Sequence, residues 1–262
     1  MAKPRNYQTE AVIIKKTRLG EADTILTMYT PGLGKIQGFA KSLRKTKSKM
    51  AGHLELITHS QVSLARGRNL DTITGSQTIS GFVPLKSNLA LTSHALYAIE
   101  LVDQFTPGHV ENYSLFNLLL ETLENLCQLN NKDLVLRYFE LHLLDRVGYR
   151  PQLQRCVSCQ AALEPVTNLF SPNAGGTLCP DCRLTQSLTY PLSVNALKVL
   201  RLIQVSDYSI VSRLKIDHEL FRELENLMRN YLRYLLEREV KSVAWLDALK
   251  GDATGKYHNR AG

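Results

Sequence analysis

The sequence has no apolar run of about 18 residues or more, the least that a bilayer-spanning helix needs. Its basic start, Met1 to Arg5, is followed by no apolar stretch of the kind a secretory signal carries, so the expected compartment is the cytoplasm. Pro31 to Lys35 (PGLGK) only approaches a phosphate-binding loop. That loop needs a glycine where Tyr29 stands and a hydroxyl residue after the lysine, where Ile36 stands. No acidic cluster offers a two-metal centre, and the seven histidines are scattered. Internal repeats and low-complexity tracts are also missing. The expectation from these absences is a protein without an active site, neither a nucleotide hydrolase nor a metal-dependent nuclease.

Acid is scarce in one place only. Residues 1–82 hold 13 Lys and Arg against 5 Asp and Glu, whereas residues 83–262 hold 19 of each. The whole net charge of +8 therefore sits in the first third. A basic region joined to a neutral one points to a polyanion bound by the first.

That basic region reads as strands. Ala11 to Ile14, Thr24 to Thr30, Lys35 to Lys41, Leu54 to Ala65 and Asp71 to Ile79 are apolar or alternating, with turn residues at Leu19 to Glu21, Pro31 to Gly34 and Arg66 to Asn69. Five short strands in about 80 residues predict a small barrel of the OB type; an SH3-like barrel fits the pattern almost as well. Lys41 to Gly52 (KSLRKTKSKMAG) interrupts the strands with five cations and no acid, which predicts a loop that is mobile without a ligand.

Helical periodicity begins near residue 87. Ser87 is a candidate cap for a helix to Phe105, and further helices are expected over 112–129, 133–147, from Ser193 to about Ile203, and from Asp217 to Arg238. The fold class expected is α+β and multidomain: an OB-fold barrel over 1–82, a helical domain from 83–150 and 187–250, a small cysteine-bearing insertion over 151–186, and a polar, flexible tail over 251–262.

Cys156-x-x-Cys159 and Cys179-x-x-Cys182 lie 19 residues apart. Two residues between cysteines let both sulfurs turn toward one ion, and two such turns supply the four thiolates of a tetrahedral zinc site. Full coordination leaves no open position for water, so one structural zinc ion is expected. Iron in the same cage, a redox pair and plain burial are the other readings. Cys127 falls on the apolar side of a helix and reads as core. His53-Leu54-Glu55 with a distal cysteine pair evokes a zinc deaminase, but the histidine is far away in sequence and Leu178 precedes Cys179 where proline is required.

An OB-fold binds single strands through a basic groove and stacking aromatics. The candidates for phosphate contact are Lys35, Lys41, Arg44, Lys45, Lys47, Lys49, Arg66 and Arg68. Phe39, Tyr29 and Tyr7 are candidates for stacking, although aromatics in a small barrel more often belong to its core. RNA is the alternative polyanion, unsupported by any RNP-type aromatic motif.

Taken in order, several segments resemble the RecO family of bacterial DNA repair proteins. These are Glu10 to Ile14 (EAVII), Leu19 to Asp23 (LGEAD) with the following TILTMYT and Gly34-Lys35, and Gly67 with Leu70 to Ile73. Others are Arg137 to Leu141 (RYFEL), Gly148 to Pro151 running into the first cysteine pair, Ser193 with Ala196-Leu197, and Arg233 to Leu235 with Lys241-Ser242. The resemblance implies DNA repair and recombination without catalysis. It further implies binding of single- and double-stranded DNA, annealing of complementary strands, and loading of RecA together with RecR on DNA coated with single-strand-binding protein. A zinc-ribbon RNA-binding or transcription-associated module is the other class that the residues permit, and an unrecognised hydrolase is a third.

Overall fold

A computed structural model describes residues 5–128 and 131–255, with the side chains of 250–255 left aside. In chain order the elements are β1 (Asn6–Leu19), β2 (Asp23–Thr30), β3 (Gly34–Ala40), β4 (His59–Ala65), β5 (Asp71–Ser80), α1 (Val83–Ser87), α2 (Leu89–Phe105), α3 (Tyr113–Gln128), α4 (Lys132–Arg146), β6 (Asn168–Ser171), β7 (Gly176–Leu178), β8 (Tyr190–Leu192), α5 (Val194–Val205), α6 (Tyr208–Val211), α7 (His218–Leu236) and α8 (Lys241–Gly255). Contacts divide the chain into two units, one holding β1–β5, α1–α3 and α8, the other α4, β6–β8 and α5–α7.

In the first unit the strands close into a barrel in the order β1-β2-β3-β5-β4. This five-stranded closure is the architecture of the OB-fold. β1 is far longer than its apolar centre. Its first half pairs with β4 and its second with β2, and a bulge between Ile13 and Lys15 lets it serve both. That irregularity explains why Ala11 to Ile14 are all buried where simple alternation would expose every second residue. Closure is completed by a short parallel pairing of β3 with β5, Gly38 opposite Asp71 and Phe39 opposite Thr72. Gly38 points inward there, and a Cβ on it would lie 2.9 Å from Ile73 Cγ1 and 3.0 Å from Met28 Cε.

The core of the barrel is Ala11, Ile13, Leu26, Met28, Ile36, Ala40, Val62, Leu64 and Ile73, plugged by Leu43 and Leu54. The alternation that begins at Leu54 is therefore satisfied without a strand. Leu54 ends a short 3-10 turn, Ile57 takes a left-handed φ of 58°, and β4 starts only at His59. Asn88, rather than Ser87, caps α2, its side chain accepting from the Leu91 amide at 3.1 Å. The shift follows from α1, whose Pro84 opens a separate short helix that ends at Ser87. α8, which the sequence pattern did not reveal, is held to α2 by Glu100, whose carboxylate accepts the amides of Lys241 and Ser242, each at 2.8 Å. Of the stretch expected to form a flexible tail, 251–255 belong to α8 and 256–262 lie outside the described residues.

In the second unit Ser193 caps α5 and Asp217 caps α7, as their positions before apolar periodicity predict. α7 stops at Leu236, earlier than expected, because Glu237 turns left-handed at φ 53°. α4 and α7 share a buried charged cluster. Arg137 donates from Nε to Glu140 Oε2 at 2.7 Å and from Nη2 to Glu140 Oε1, and Glu225 lies 3.9 Å from Arg137 Nη1 and 2.7 Å from Arg229. The three-stranded sheet β7-β6-β8 completes the unit.

Candidate functional site

Two constellations stand out, a basic face on the barrel and a cysteine cage. On β2 and β3, Leu26, Met28, Ile36 and Gly38 face inward, so Ile25, Thr27 and Tyr29 face outward beside Phe39, Gln37 and Lys35, their register partners. One end of this outer face is covered. Tyr29 is fully buried with its ring 6.4 Å from that of Phe116 on α3, and burial pushes its phenol up to about 12. Lys35 Nζ donates to the backbone carbonyl of Asp103 and lies 3.2 Å from the Asp103 carboxylate on α2. Tyr29 is thus core and not a stacking residue, and the charge of Lys35 is spent within the unit. The other end is open: Phe39 is half-buried on the outer side of β3, opposite Ile25.

Lys41, Arg44, Lys45, Lys47 and Lys49 follow directly from that open end, and all five are exposed. Their segment is a loop, as expected, and it is built from successive turns. Leu43 is buried in the barrel, the Ser42 amide donates to Asp23 Oδ1 at 2.6 Å, and the Lys45 and Ser48 amides close successive turns at 3.1 and 2.9 Å. Arg44 fastens the segment to the β1–β2 turn, donating from its guanidinium to the Gly20 carbonyl at 2.8 Å and to that of Glu21. Its partners are carbonyls, so its positive charge is not neutralised.

Arg66 and Arg68 lie exposed in the β4–β5 connection. The Arg66 guanidinium sits 4.7 Å above the Tyr7 ring. Tyr7 donates to Asp71 Oδ2 at 2.6 Å, and burial followed by this bond raises its phenol well above the usual range. One face of the ring expected to stack bases is thus already taken. Between this connection and the α2–α3 turn runs a cleft of about 690 Å³, lined among others by Lys15, Gln37, Arg66, Asn69, Asp103 and His109. Lys15, Gln37 and Asn69 were not foreseen. Strand alternation alone places Gln37 opposite to Ile36, but no local signal announces the approach of Asp103, which lies 3.6 Å from Lys15.

In the second unit the four cysteine sulfurs lie within 4.8 Å of one another. Cys156 opens a tight turn, its amide donating to Ala161 and its carbonyl accepting from Gln160, both at 2.9 Å. The Val157 amide ties that turn to β7 through the Thr177 carbonyl at 2.9 Å. Gly176 makes the approach possible, since a Cβ there would lie 2.6 Å from the Gln152 carbonyl oxygen and 2.7 Å from Val157 Cγ1. Cys179 follows β7, and the 3-10 turn Pro180–Thr185 returns Cys182 to it, amide to carbonyl at 3.1 Å. Cys159 Sγ and Cys179 Sγ are 3.8 Å apart, which equals the edge of about 3.8 Å of a tetrahedron with metal–sulfur arms of ~2.3 Å. Burial opposes ionisation of Cys156, yet the amides of Cys159, Cys179 and Ser158 bring its thiol down to about 6. The bond with Cys179 pushes Cys182 up to about 12. Donor type, number and spacing fit a metal ion. Cys127 stands apart, half-buried on α3 rather than in the core. Among the described residues, no helix is long and apolar enough to cross a membrane.

Comparison with known proteins gives concordant matches. Residues 1–82 match the family described as Recombination protein O N terminal, and residues 86–244 match Recombination protein O C terminal. The chain is 51% identical over 249 residues to the DNA repair protein RecO of Dehalococcoides mccartyi (strain ATCC BAA-2266 / KCTC 15142 / 195), covering 95% of this chain and 98% of that one. It is 45% identical over 246 residues to the DNA repair protein RecO of Roseiflexus sp. (strain RS-1), with 94% and 87% covered. It is 31% identical over 253 residues to that of Desulforamulus reducens (strain ATCC BAA-1160 / DSM 100696 / MI-1), with 97% and 98% covered.

Proposed function

Because this chain belongs to the RecO family of DNA repair proteins, we propose that it is a recombination mediator that binds single- and double-stranded DNA and anneals complementary strands. In this reading it works with RecR to load RecA onto DNA coated with single-strand-binding protein, in the cytoplasm and at the nucleoid. The observation that carries the DNA reading is the unneutralised basic segment at the open end of a barrel face: Lys41, Arg44, Lys45, Lys47 and Lys49 beside the outward Phe39.

The mechanism is electrostatic and needs no turnover. Exposed lysines neutralise phosphates and release their condensed counterions. Two strands held on one basic surface repel each other less, so complementary bases meet at lower cost. Phe39 offers a ring to a base, and Arg44 holds the segment in place while keeping its charge. Arg66 and Arg68 extend the basic surface along the β4–β5 connection.

Cys156, Cys159, Cys179 and Cys182 would hold one zinc ion. Zinc bound there supplies folding energy to a segment with little core of its own, and no reaction chemistry. The four sulfurs draw together the Cys156 turn and the 3-10 turn after β7.

The test is equilibrium binding of the full chain, loaded with zinc, to a fluorescent single-stranded DNA and to RNA of the same sequence. Tight, salt-sensitive DNA binding supports the reading. A strong preference for RNA would instead favour a zinc-ribbon RNA-binding module.

A further inference from the structure

The four cysteines of the cage are not equally accessible. Cys156 is fully buried, Cys179 and Cys182 are partly exposed, and Cys159 is exposed. Beside the cage lies a hollow of about 620 Å³, lined by Cys159, Cys179 and Cys182 together with Ala161, Ala162 and Pro180. Cys156 does not line it. Small neighbouring side chains thus leave three of the four sulfurs within reach of a small solute, whereas burial shields the fourth.

The rest of the lining selects the solute. Glu164 and Asp181 are exposed at the hollow, and no Lys or Arg among the described residues lines it. Two carboxylates repel anions and leave a small uncharged molecule unopposed. A bound metal keeps its cysteines as thiolates, and the thiolate is the form that attacks an oxidant. Hydrogen peroxide is both small and uncharged.

We infer that Cys159 and Cys179 form a peroxide-reactive pair, a modification site at which a disulfide across the cage replaces the metal. The inference rests on the zinc reading proposed above and goes beyond it. Cys159 Sγ attacks one oxygen of hydrogen peroxide, the O–O bond breaks, and a sulfenic acid forms as hydroxide departs. Cys179 Sγ, 3.8 Å from Cys159 Sγ, attacks the sulfenic sulfur. The S–O bond breaks, an S–S bond forms, and a second hydroxide departs. The two sulfurs together give up two electrons, which the peroxide takes, and two protons from solvent convert the hydroxides to water. Cys156 and Cys182 are then the remaining thiolates, too few to hold a structural zinc ion. The new bond joins the two turns that the metal had joined, one at Cys156 to Cys159 and the other at the 3-10 turn that Cys179 begins.

The test treats the full, zinc-loaded chain with hydrogen peroxide. Zinc release is followed with a metallochromic dye, thiols are titrated in denaturant, the disulfide is located by peptide fragmentation, and melting is recorded. One zinc ion should leave per chain while the thiols fall from the five of the sequence to three, with Cys127 keeping its own. The link should join Cys159 to Cys179. The oxidised chain should melt between the zinc-loaded chain and the reduced chain stripped by a chelator, because the disulfide restores part of the cross-link. Dithiothreitol followed by zinc should return the original melting. Glu164→Gln with Asp181→Asn should speed zinc release by tetrathionate, a dianionic thiol oxidant, by about tenfold and leave release by peroxide unchanged. Zinc retained with five thiols intact, or a link within either Cys-x-x-Cys pair, overturns the inference and leaves the zinc reading standing. Equal acceleration of both oxidants in the double variant overturns the role given to the carboxylates. If the parent chain neither carries zinc nor takes it up, the inference and the zinc reading both fail.

Discussion

Three lysines of the segment after β3 should set the salt dependence of DNA binding. Lys45, Lys47 and Lys49 are exposed, and none takes part in an ion pair among those found in the described residues. Each phosphate neutralised on a single strand contributes ~0.7 to the slope of log affinity against log salt, so three contacts contribute ~2.1. Between 50 and 200 mM salt, a fourfold change, the advantage of the parent over the triple alanine variant should shrink by about 18-fold. Anisotropy of a labelled oligonucleotide at four or five salt concentrations measures this directly. Arg44→Ala makes an informative companion: it removes a charge and also the anchor to the Gly20 and Glu21 carbonyls, so it should loosen the segment as well. Parallel salt lines for parent and triple variant, whatever their vertical offset, would refute the placement of these lysines on the strand.

Other predictions concern the second unit and the response to acid. Glu140 is fully buried against Arg137, so Glu140→Ala should cost about 3–5 kcal/mol in urea unfolding by breaking a buried ion pair. Replacing both members, Arg137→Met with Glu140→Leu, should cost much less; an equal penalty would contradict the account. Cys179→Ser should abolish the binding of zinc, read by elemental analysis of the purified chain, and lower the melting temperature. A full equivalent of zinc retained would contradict four-cysteine ligation. Burial holds the imidazoles of His59 and His142 below the ordinary 6.5. The unfolded chain therefore takes up protons first as pH falls. Stability from these sites is present above about 6.5 and is lost as pH drops through the folded-state values. The urea midpoint should fall from pH 7 to pH 5, and His59→Gln with His142→Gln should flatten that fall; an unchanged slope would show that other groups carry it.

How much of this was legible in sequence depended on how local the physics is. The cysteine cage was, because Cys-x-x-Cys states its own geometry and only the pairing of two turns remains to the fold. The caps at Ser193 and Asp217 were, because a cap bonds three residues onward. β2, β3 and β5 were, and in β3 burial alternates strictly along the strand, so the sequence pattern records its inward face. β1 was recognised only at its centre, since a strand shared between two partners across a bulge breaks alternation. Leu54 misled for the opposite reason, an alternating residue that fills the barrel from a turn. The basic segment was visible as charge, but its anchoring was not, because Leu43 is buried only once the barrel closes and Arg44 depends on where the β1–β2 turn comes to lie. Lys35 shows the limit most clearly. Its charge reads as a phosphate contact until Asp103, 68 residues away in sequence, occupies it.

If a basic barrel face brings complementary strands together without catalysis, the chain should anneal strands unaided by any nucleotide. The most direct measurement is annealing of complementary oligonucleotides coated with single-strand-binding protein, followed by fluorescence energy transfer, with the zinc-loaded chain and with its variant carrying alanine at Lys41, Arg44, Lys45 and Lys47. The expected result is annealing that scales with protein bound, needs no nucleotide and is lost in the variant. Absence of annealing by the well-folded parent, or full annealing by the variant, would contradict it.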